Sequence, residues 1–381
     1  MKSVLKRMSI LSVPAVLVLL LAICDCSGRA GQAGSAAAGA NKQEKKLKAI
    51  LCVGRKNDLS FQQSAYEGML RAGRELSRYY DVETREMGDD PTIWESAIYE
   101  AADDGADIVM SIAYQNKQNF ETIPREYPNT KFILFDQAID YSKGDLSNVL
   151  CVLFDSNESG FLAGAVAAYY TASSKAANPD KIIGFVGGIE AITISNFLVG
   201  YAEGAHYVDP QTKIKLAYVG GFVDTAKAKD LAVAQISEGA DIIFQVAGGA
   251  GNGVIEAAAE RKGVMAIGVD ADQYRTLAGT DLQASVITSS LKRLDNALFK
   301  ILSDYVQDPA GVPFGTTVTY GLEQDAVGIV FNENLTSHIG SDNVEKVKQL
   351  LTKIRSGEIV VSNAGVLTPR EIYDIVNRGK K

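Results

Sequence analysis

The sequence predicts an α/β fold in which two lobes, each built around a doubly wound parallel sheet, are joined by a hinge. Short runs rich in Val and Ile alternate along the chain with Ala-rich stretches of helical period, and such alternation is typical of parallel sheets covered by helices. The alternation occurs in two successive sets. Because the roughly 330 residues that carry it exceed the size at which a single hydrophobic core stops growing, we expect two lobes.

Each predicted strand is a short apolar run that ends where small or polar residues begin. The first set predicts strands at 49–53, 108–113, 131–136 and 148–155, with helices at 64–78, 116–126 and 158–170. The second set predicts strands at 182–187, 214–220, 242–246 and 264–270, with helices at 195–208, 225–238 and 251–262. The remaining chain predicts strands at 284–288, 316–320 and 327–331 and helices at 291–305, 343–354 and 368–376.

The change of pattern after residue 270 indicates how the lobes are connected. We place residues 48–155 and about 283–315 in the first lobe, 156–282 and about 316–345 in the second, and 346–381 in a C-terminal helical segment. A chain that builds one lobe, then the other, and then returns must cross between them. We expect crossovers near Asp155, within 270–282 and within 312–323, and such crossovers form a hinge.

The first 23 residues are typical of a secretory signal, because cations precede an apolar run that is too short to span a membrane. The run ends at residues 21–24, Leu-Ala-Ile-Cys, which resemble a lipobox. We therefore expect a lipid on Cys24 that anchors the protein to the cell membrane, facing the periplasm. Asp25 resembles the retention signal of inner-membrane lipoproteins. An ordinary cleaved signal is the alternative.

Residues 24–47 are predicted to be a flexible tether, because Gly, Ala, Ser and charged residues cannot bury a core. The formal net charge of the chain is −8, and removal of residues 1–23, which carry three cations and no carboxylate, lowers it to −11. A nucleic-acid partner is therefore disfavoured, since proteins of that class are usually basic.

The cysteines and histidines do not indicate a metal site or a cofactor. Cys52 and Cys151 lie in strand-like apolar runs, where we expect them to be free and buried, with a disulfide as the alternative. The chain has only two histidines, His206 and His338, and no metal-ligand spacing.

Residues that follow the predicted strands indicate a ligand site, since ligands of open parallel sheets bind beyond the carboxyl ends of the strands. The segments concerned are residues 58–63, Asp136, 222–224, 247–253 and Asp270. Two aromatic rings and several carboxylates are thus expected to meet in one cleft between the lobes.

Phe61 and Phe222, one in each lobe, are candidates to clamp a planar base, and the alternative is that both are ordinary core residues. Asp270 is a candidate to accept hydrogen bonds from vicinal hydroxyls such as those of ribose, although Asp136 and Asp270 could instead cap the following turns. Lys292, predicted early in a helix, could donate to a sugar oxygen, pair with Asp270 or simply face solvent.

The loop at residues 248–253 offers the backbone N–H groups of Gly248 and Gly249 to a ligand oxygen, unless the loop is only a tight turn.

The same loop, together with Asp270, also suggests a dinucleotide-binding enzyme, but its G-x-G-x-G spacing differs from the G-x-G-x-x-G of that class. A nucleoside-cleaving enzyme would need calcium-binding aspartates or a suitably placed histidine. We therefore expect a binding protein rather than an enzyme. An adhesin, a third possibility, would bind no small ligand.

Four segments together resemble the basic membrane protein family of lipoproteins, particularly its purine nucleoside receptor branch. They are residues 58–68, 157–164, 244–255 and 267–274, and the resemblance extends from the lipobox to about residue 361. It implies a type I periplasmic-binding-protein fold and a solute-binding role in an ATP-driven (ABC) importer, whose permease and ATPase subunits would be partners. The implied ligand is a purine nucleoside, such as adenosine, guanosine or inosine.

The resemblance also implies roles for individual residues. It places the stacking rings on Phe61 and Phe222, the base-side carboxylate on Asp136, and the ribose contacts on Asp270 and Lys292. Two positions depart from the family: Gln62 stands where Asn is usual, and the loop at 54–57 is shorter and lacks the usual Asp. Both lie on the first-lobe side of the pocket, so the base preference or the nucleoside class could differ.

Overall fold

The computed structural model of the protein describes residues 45–112 and 114–380, and within them lie two six-stranded sheets. The first sheet contains β1 (Leu47–Val53), β2 (Tyr80–Glu86), β3 (Ile108–Ile112), β4 (Lys131–Phe135), β5 (Val149–Phe154) and β11 (Thr316–Tyr320). The second contains β6 (Ile182–Gly187), β7 (Lys213–Tyr218), β8 (Ala240–Val246), β9 (Met265–Asp270), β10 (Val286–Lys292) and β12 (Val327–Ile329).

Both sheets have a doubly wound order. The first runs β11-β5-β4-β3-β1-β2 and the second β12-β10-β9-β8-β6-β7. All pairings in the first sheet are parallel, and in the second only β12 runs antiparallel, beside β10. The predicted architecture of two doubly wound lobes is confirmed.

The helices of the described residues cover both faces of each sheet. They are α1 (Phe61–Glu75), α2 (Trp94–Asp103), α3 (Lys117–Thr122), α4 (Ser156–Thr171), α5 (Ile192–Val208), α6 (Thr225–Ser237), α7 (Asn252–Ala259), α8 (Gln273–Thr276), α9 (Leu294–Gln307), α10 (Glu333–Ile339), α11 (Ser341–Arg355) and α12 (Pro369–Val376). Alternate residues of β1 enter different cores: Leu51 packs with Met69 of α1, and Ile50 with Ile98 of α2. This two-sided burial explains why the central strands are continuously apolar.

Strand β2 and helix α2 have no counterpart in the prediction. β2 is an edge strand with the sequence YDVETRE, and only its first residue is buried. An edge strand that faces solvent needs no apolar run, so the pattern that identifies the central strands is missing there.

The last third of the chain corrects three predictions. β10, expected in the first lobe, pairs with β9 in the second sheet, and β11, expected in the second lobe, pairs with β5 in the first. The expected lobe boundary at residues 345 and 346 falls inside α11. Sequence pattern identifies a strand but not its neighbour, because a parallel strand joins any free sheet edge that its connection can reach.

The chain crosses between the lobes at three places. The first is near Asp155, as predicted, between β5 and α4. The second lies at Arg293, between β10 and α9, rather than within 270–282 as expected. The third, at residues 321–326 between β11 and β12, overlaps the expected range of 312–323.

Cys52 and Cys151 are free and buried, as predicted. Two strands, β3 and β4, separate β1 from β5, so the cysteines lie about 14 Å apart at the usual strand spacing and cannot form a disulfide. Within residues 45–112 and 114–380 no helix is long and apolar enough to cross a membrane. The predicted signal at 1–23 and most of the tether lie outside the described residues, and the tether's last residue, Leu47, begins β1.

Candidate functional site

A cavity of about 680 Å³ lies between the carboxyl ends of the two sheets. All eight residues predicted to contact a ligand line it: Phe61, Gln62, Asp136, Phe222, Gly248, Gly249, Asp270 and Lys292. The first lobe contributes three of them, Phe61, Gln62 and Asp136, and the second lobe contributes the other five. The structure therefore brings together residues that lie more than 200 positions apart in the sequence.

The first-lobe wall is built on the start of α1. The carboxylate of Asp58 accepts the backbone N–H groups of Ser60, Gln62 and Gln63 at 3.0 Å each, which satisfies donors that a helix N-terminus leaves free. This cap directs Phe61, the first residue of α1, towards the cavity. Burial raises the pKa of the Asp58 carboxyl, and the three backbone donors oppose that shift.

Asp136 and Asp270 leave their strands in the same backbone conformation. Asp136 follows β4, Asp270 ends β9, and each has φ of 63°. A positive φ is uncommon for a residue other than Gly, and such strained positions cluster at functional sites. Both carboxylates reach the cavity, one from each lobe.

Lys292 is the last residue of β10 and its side chain is only 3% exposed. Its Nζ lies 2.8 Å from Oδ2 of Asp136, so a buried ion pair joins the second sheet to the first. The ammonium also lies over the rings of Phe61 and Phe197, at 5.2 Å and 5.0 Å from their centroids. The expectation that Lys292 lies early in a helix is wrong, because β10 extends four residues further than predicted. Of the alternatives for its side chain, neither exposure to solvent nor a direct ion pair with Asp270 is seen, since the ammonium is buried against Asp136.

Asp270 accepts a hydrogen bond from the other lobe, with 2.8 Å between Ser60 Oγ and Asp270 Oδ2. Burial raises the pKa of the Asp270 carboxyl to about 6. The charge of Lys292 and the Ser60 hydrogen bond lower this pKa, whereas the charges of Asp136 and Asp58 raise it. The carboxylate is thus ionised at neutral pH and titrates just below it.

Phe222 lies between β7 and α6, on the second-lobe wall. Its ring packs on Gly188, where an added Cβ would come within 2.3 Å of Cε1. Its carbonyl accepts the N–H of Ala250 at 2.8 Å, which ties it to the glycine loop. In that loop Gly248 has φ of 54°, and residues Gly248–Gly251 form a short 3-10 helix that leads into α7.

Gln62 closes the short loop after β1. Its Oε1 accepts the backbone N–H of Arg55 at 2.9 Å, and Arg55 Nε in turn lies 2.7 Å from Oδ1 of Asp89. The amide N–H₂ of Gln62 remains available on this side of the cavity. The short loop is therefore held by a contact with the first turn of α1.

Several lining residues lie outside the segments that the sequence indicated, among them Trp94, Tyr114, Gln115, Thr193 and Phe197. Asp58, Ser60 and Asn252 lie within those segments, but the sequence assigned no role to them. Trp94 is the only tryptophan of the chain and follows the unrecognised β2, so recognition of that strand would have drawn attention to it. Neither His206 nor His338 lines the cavity. Among the described residues no cluster of His, Cys, Asp or Glu could hold a metal ion.

Comparison with known proteins agrees with this architecture. Residues 45–364 match the family described as Bmp, ABC transporter substrate-binding protein PnrA-like. The chain is 33% identical over 322 residues to the ABC transporter nucleoside-binding protein BmpA of Lactococcus lactis, covering 80% of this chain and 85% of that protein. It is 31% identical over 322 residues to the CD4+ T-cell-stimulating antigen of Listeria monocytogenes, covering 81% and 85%.

Solved structures show the same fold. An ABC transporter solute-binding protein from Aeropyrum pernix superposes with a TM-score of 0.73 at 25% identity, covering 88% of this chain and 97% of that one. The type I periplasmic-binding-protein fold is thus confirmed. Since the family match spans most of the chain, this protein belongs to the Bmp family of PnrA-like ABC transporter substrate-binding proteins.

Proposed function

We propose that this substrate-binding protein captures purine nucleosides between its lobes and delivers them, chemically unchanged, to the permease and ATPase subunits of an ABC importer. The observation that carries the proposal is the composition of the cleft. Aromatic rings and carboxylates from both lobes line one cavity together with a buried ammonium, among them Phe61 and Asp136 from the first lobe and Phe222 and Asp270 from the second. The name of the Lactococcus lactis relative, a nucleoside-binding protein, supports the same ligand class.

The base would stack between Phe61 and Phe222. Stacking on an aromatic face contributes roughly 1–3 kcal/mol per base and tolerates any base, because every base has a π face. Asp136, on the first-lobe side, would accept N–H groups from the edge of a purine, and adenosine, guanosine and inosine all present such donors. Gln62 would add an amide donor on the same side.

The sugar would lie against the second lobe. The carboxylate of Asp270 can accept hydrogen bonds from two neighbouring hydroxyl groups, and Lys292 can donate to a sugar oxygen. Gly248 and Gly249 would allow a close approach, since neither carries a side chain and both line the cavity. Closure of the lobes would then bury the ligand, stabilised by contacts that an open form lacks.

Delivery requires a position at the membrane. We propose that Cys24 carries a lipid anchor and that Asp25 retains the protein at the inner membrane, facing the periplasm. Both residues lie outside the described part of the chain. Metabolic labelling with a radioactive fatty acid should mark the wild-type protein and not a Cys24→Ala variant, and equal labelling of the two would exclude this anchor.

Isothermal titration of the full-length protein, stripped of bound ligand by unfolding and refolding, tests the ligand class. The panel is adenosine, guanosine, inosine, cytidine, ribose and adenine. We expect saturable binding of the purine nucleosides and no new product by chromatography after prolonged incubation. Product formation would favour a nucleoside-cleaving enzyme. No binding across the panel would show that the altered first-lobe loop accepts another solute.

The Asp270→Ala variant separates the sugar contact from the base contact. We expect it to weaken adenosine binding by about 2 kcal/mol, since the hydrogen bonds that are lost involve a charged group. Binding of free adenine should change little. Equal losses for adenosine and adenine would contradict a role of Asp270 at the ribose.

A further inference from the structure

A short segment of the first lobe, residues 58–60, reaches into the second lobe. The side chain of Leu59 packs against an apolar cluster of the second lobe that includes Ile255 and Ala258. The carbonyl of Leu59 accepts a hydrogen bond from Gln273 Nε2 at 3.4 Å. Next to it, the fully buried Ser60 donates to Asp270 Oδ2 at 2.8 Å, and its Oγ also lies 3.3 Å from the carbonyl of Val269.

The Ser60 hydroxyl is the side-chain donor that orients the Asp270 carboxylate, because the neighbouring cation, Lys292, contacts Asp136 instead. Lys292 directs its ammonium to Asp136, 2.8 Å away. Within residues 45–112 and 114–380, Ser60 is the one side chain that donates a hydrogen bond to the Asp270 carboxylate. It occupies Oδ2 and leaves Oδ1, together with the second lone pair of Oδ2, for other donors.

Because the donor Ser60 comes from the opposite lobe, the orientation of the Asp270 carboxylate depends on closure of the two lobes. A hinge motion that separates the lobes withdraws Ser60 from Asp270, since they are held by different sheets. Asp270 then loses its donor and the fixed orientation that the donor imposes. The carboxylate is set for ligand hydroxyls only while the lobes are together.

We propose that Ser60 is a positioning residue that couples recognition of the sugar hydroxyls by Asp270 to closure of the two lobes. This inference rests on the proposed function of Asp270 at the ribose. Ser60 touches the carboxylate and not the ligand, so its effect reaches the ligand through Asp270. A sugar with vicinal hydroxyls stabilises the closed form, and a ligand without them does so less.

The first test compares Ser60→Ala with the control Ser64→Ala. Ser64 is a buried serine in α1, the helix that Ser60 precedes, and its Oγ accepts the N–H of Asp295 at 3.3 Å within the first lobe. We expect Ser60→Ala to raise the Kd for adenosine about 10-fold, the loss typical of a hydrogen bond to a charged group. The Kd for 2′,3′-dideoxyadenosine should change far less. Ser64→Ala should alter both ligands equally, and an unchanged adenosine to dideoxyadenosine ratio in Ser60→Ala would overturn the proposal.

The second test is made on the protein saturated with adenosine, in which the lobes are held together. Carboxyl ¹³C NMR of the full-length protein, with the Asp270 signal identified from Asp270→Asn, reports the ionisation of that carboxyl directly. Because the Ser60 hydrogen bond lowers the pKa of Asp270, Ser60→Ala should raise this pKa above that of the wild type measured in the same adenosine-bound state, whereas Ser64→Ala should not. Identical titration curves for wild type and Ser60→Ala would overturn the proposal. Failure of the wild type to bind nucleosides would instead overturn the proposed function.

Three charged neighbours of Asp270 bear on this titration. Lys292 of β10 favours the ionised form, while Asp136 after β4 and Asp58 before α1 oppose it. All three remain in Ser60→Ala. The adenosine Kd measured against pH should therefore rise as the pH falls through the Asp270 pKa, and the rise should begin at higher pH in Ser60→Ala than in wild type.

Discussion

Asp136 and Asp270 show that the position and backbone conformation of single residues can mark a ligand site. Each stands where an apolar strand ends and adopts a left-handed φ of 63°. That conformation costs roughly 1–2 kcal/mol for a residue with a Cβ. The surrounding strands hold both residues in place, and the result is a pair of carboxylates that reach one cavity from opposite lobes.

The ring of Phe222 offers the sharpest test of base stacking. We expect Phe222→Ala to weaken nucleoside binding by about 1–3 kcal/mol, because one face of the base loses its aromatic neighbour. Isothermal titration against adenosine measures the loss. Phe331→Ala is a suitable control, since Phe331 is 38% exposed and does not line the cavity. An unchanged affinity in Phe222→Ala would rule out the aromatic clamp.

Asp241 links folding to pH. It is fully buried in β8, its Oδ2 accepts the hydroxyl of Thr171 at 3.0 Å, and burial raises the pKa of its carboxyl to about 7. A raised pKa in the folded state means that folding favours the protonated form. The stability that protonated Asp241 contributes is fully present below the ordinary pKa of an aspartate carboxyl. This contribution is lost as the pH rises through about 7.

Asp241→Asn removes this ionisation and keeps an acceptor for Thr171. We compare the free energy of unfolding of the variant with that of the wild type at pH 5 and at pH 8. The difference in favour of the variant should be about 2 kcal/mol larger at pH 8 than at pH 5. Urea unfolding at the two pH values measures the difference. Asp281→Asn, the same substitution at an exposed position, is the control. A difference that does not change with pH would show that Asp241 remains ionised in the fold.

At the scale of elements, helices α4 and α5 pack with almost no space between their backbones. Glycines supply the contact: a Cβ added at Gly164 would lie 2.0 Å from the carbonyl oxygen of Tyr201, and one at Gly204 would lie 1.9 Å from that of Phe161. Both helices are only weakly amphipathic, because they are covered on most sides. The small residues of this region are therefore a packing requirement.

Gly204→Ala should force the two helices apart and lower the free energy of unfolding by about 3 kcal/mol, the upper range for overpacking. Urea unfolding of the full-length protein measures this change. Gly73→Ala in α1 provides the matched control, since its added Cβ would meet only a methyl group of the Val82 side chain. Equal effects of the two substitutions would mean that α4 and α5 can separate without loss.

At the scale of the whole molecule, the lobes are joined by buried polar contacts as well as by the three crossovers. The Lys292–Asp136 pair has side chains 3% and 13% exposed, and it connects the two sheets across the cavity. The Ser60–Asp270 hydrogen bond forms a second connection. Both contacts involve residues of the proposed ligand site, so ligand binding and closure share the same groups.

Lys292→Met should lower the free energy of unfolding by about 3–5 kcal/mol, because it leaves the Asp136 carboxylate buried without its partner. Addition of Asp136→Asn should recover much of that loss. Lys300→Met, at an exposed i,i+4 pair with Asp304, should cost less than about 1 kcal/mol. Denaturant unfolding compares the variants. A double variant no more stable than Lys292→Met alone would show that the two side chains are not coupled.

Local pattern was sufficient for much of the fold. The strand at 182–187 agrees residue for residue with the prediction, because buried strands of a parallel sheet are apolar. The strand at 316–320 also agrees, although it is an exposed edge strand, because its Thr, Val and Tyr residues favour strands. The positions just beyond the strands identified Phe61, Asp136, Phe222 and Asp270 as cavity residues, since the carboxyl edge is where an open sheet binds ligands. The resemblance to the Bmp family added the type of transporter.

Only the tertiary structure decided which elements are neighbours. The exchange of β10 and β11 between the sheets, the polar edge strand β2 and the pairing of Lys292 with Asp136 depend on contacts between residues distant in sequence. The same is true of Ser60, whose position before a helix indicates only an N-cap until the second lobe brings Asp270 beside it. By itself, therefore, the sequence determined the two-lobed α/β architecture and the cleft residues that follow the strands, because burial and strand ends are local properties. The partners of those residues were decided by how the lobes meet, which no local pattern records.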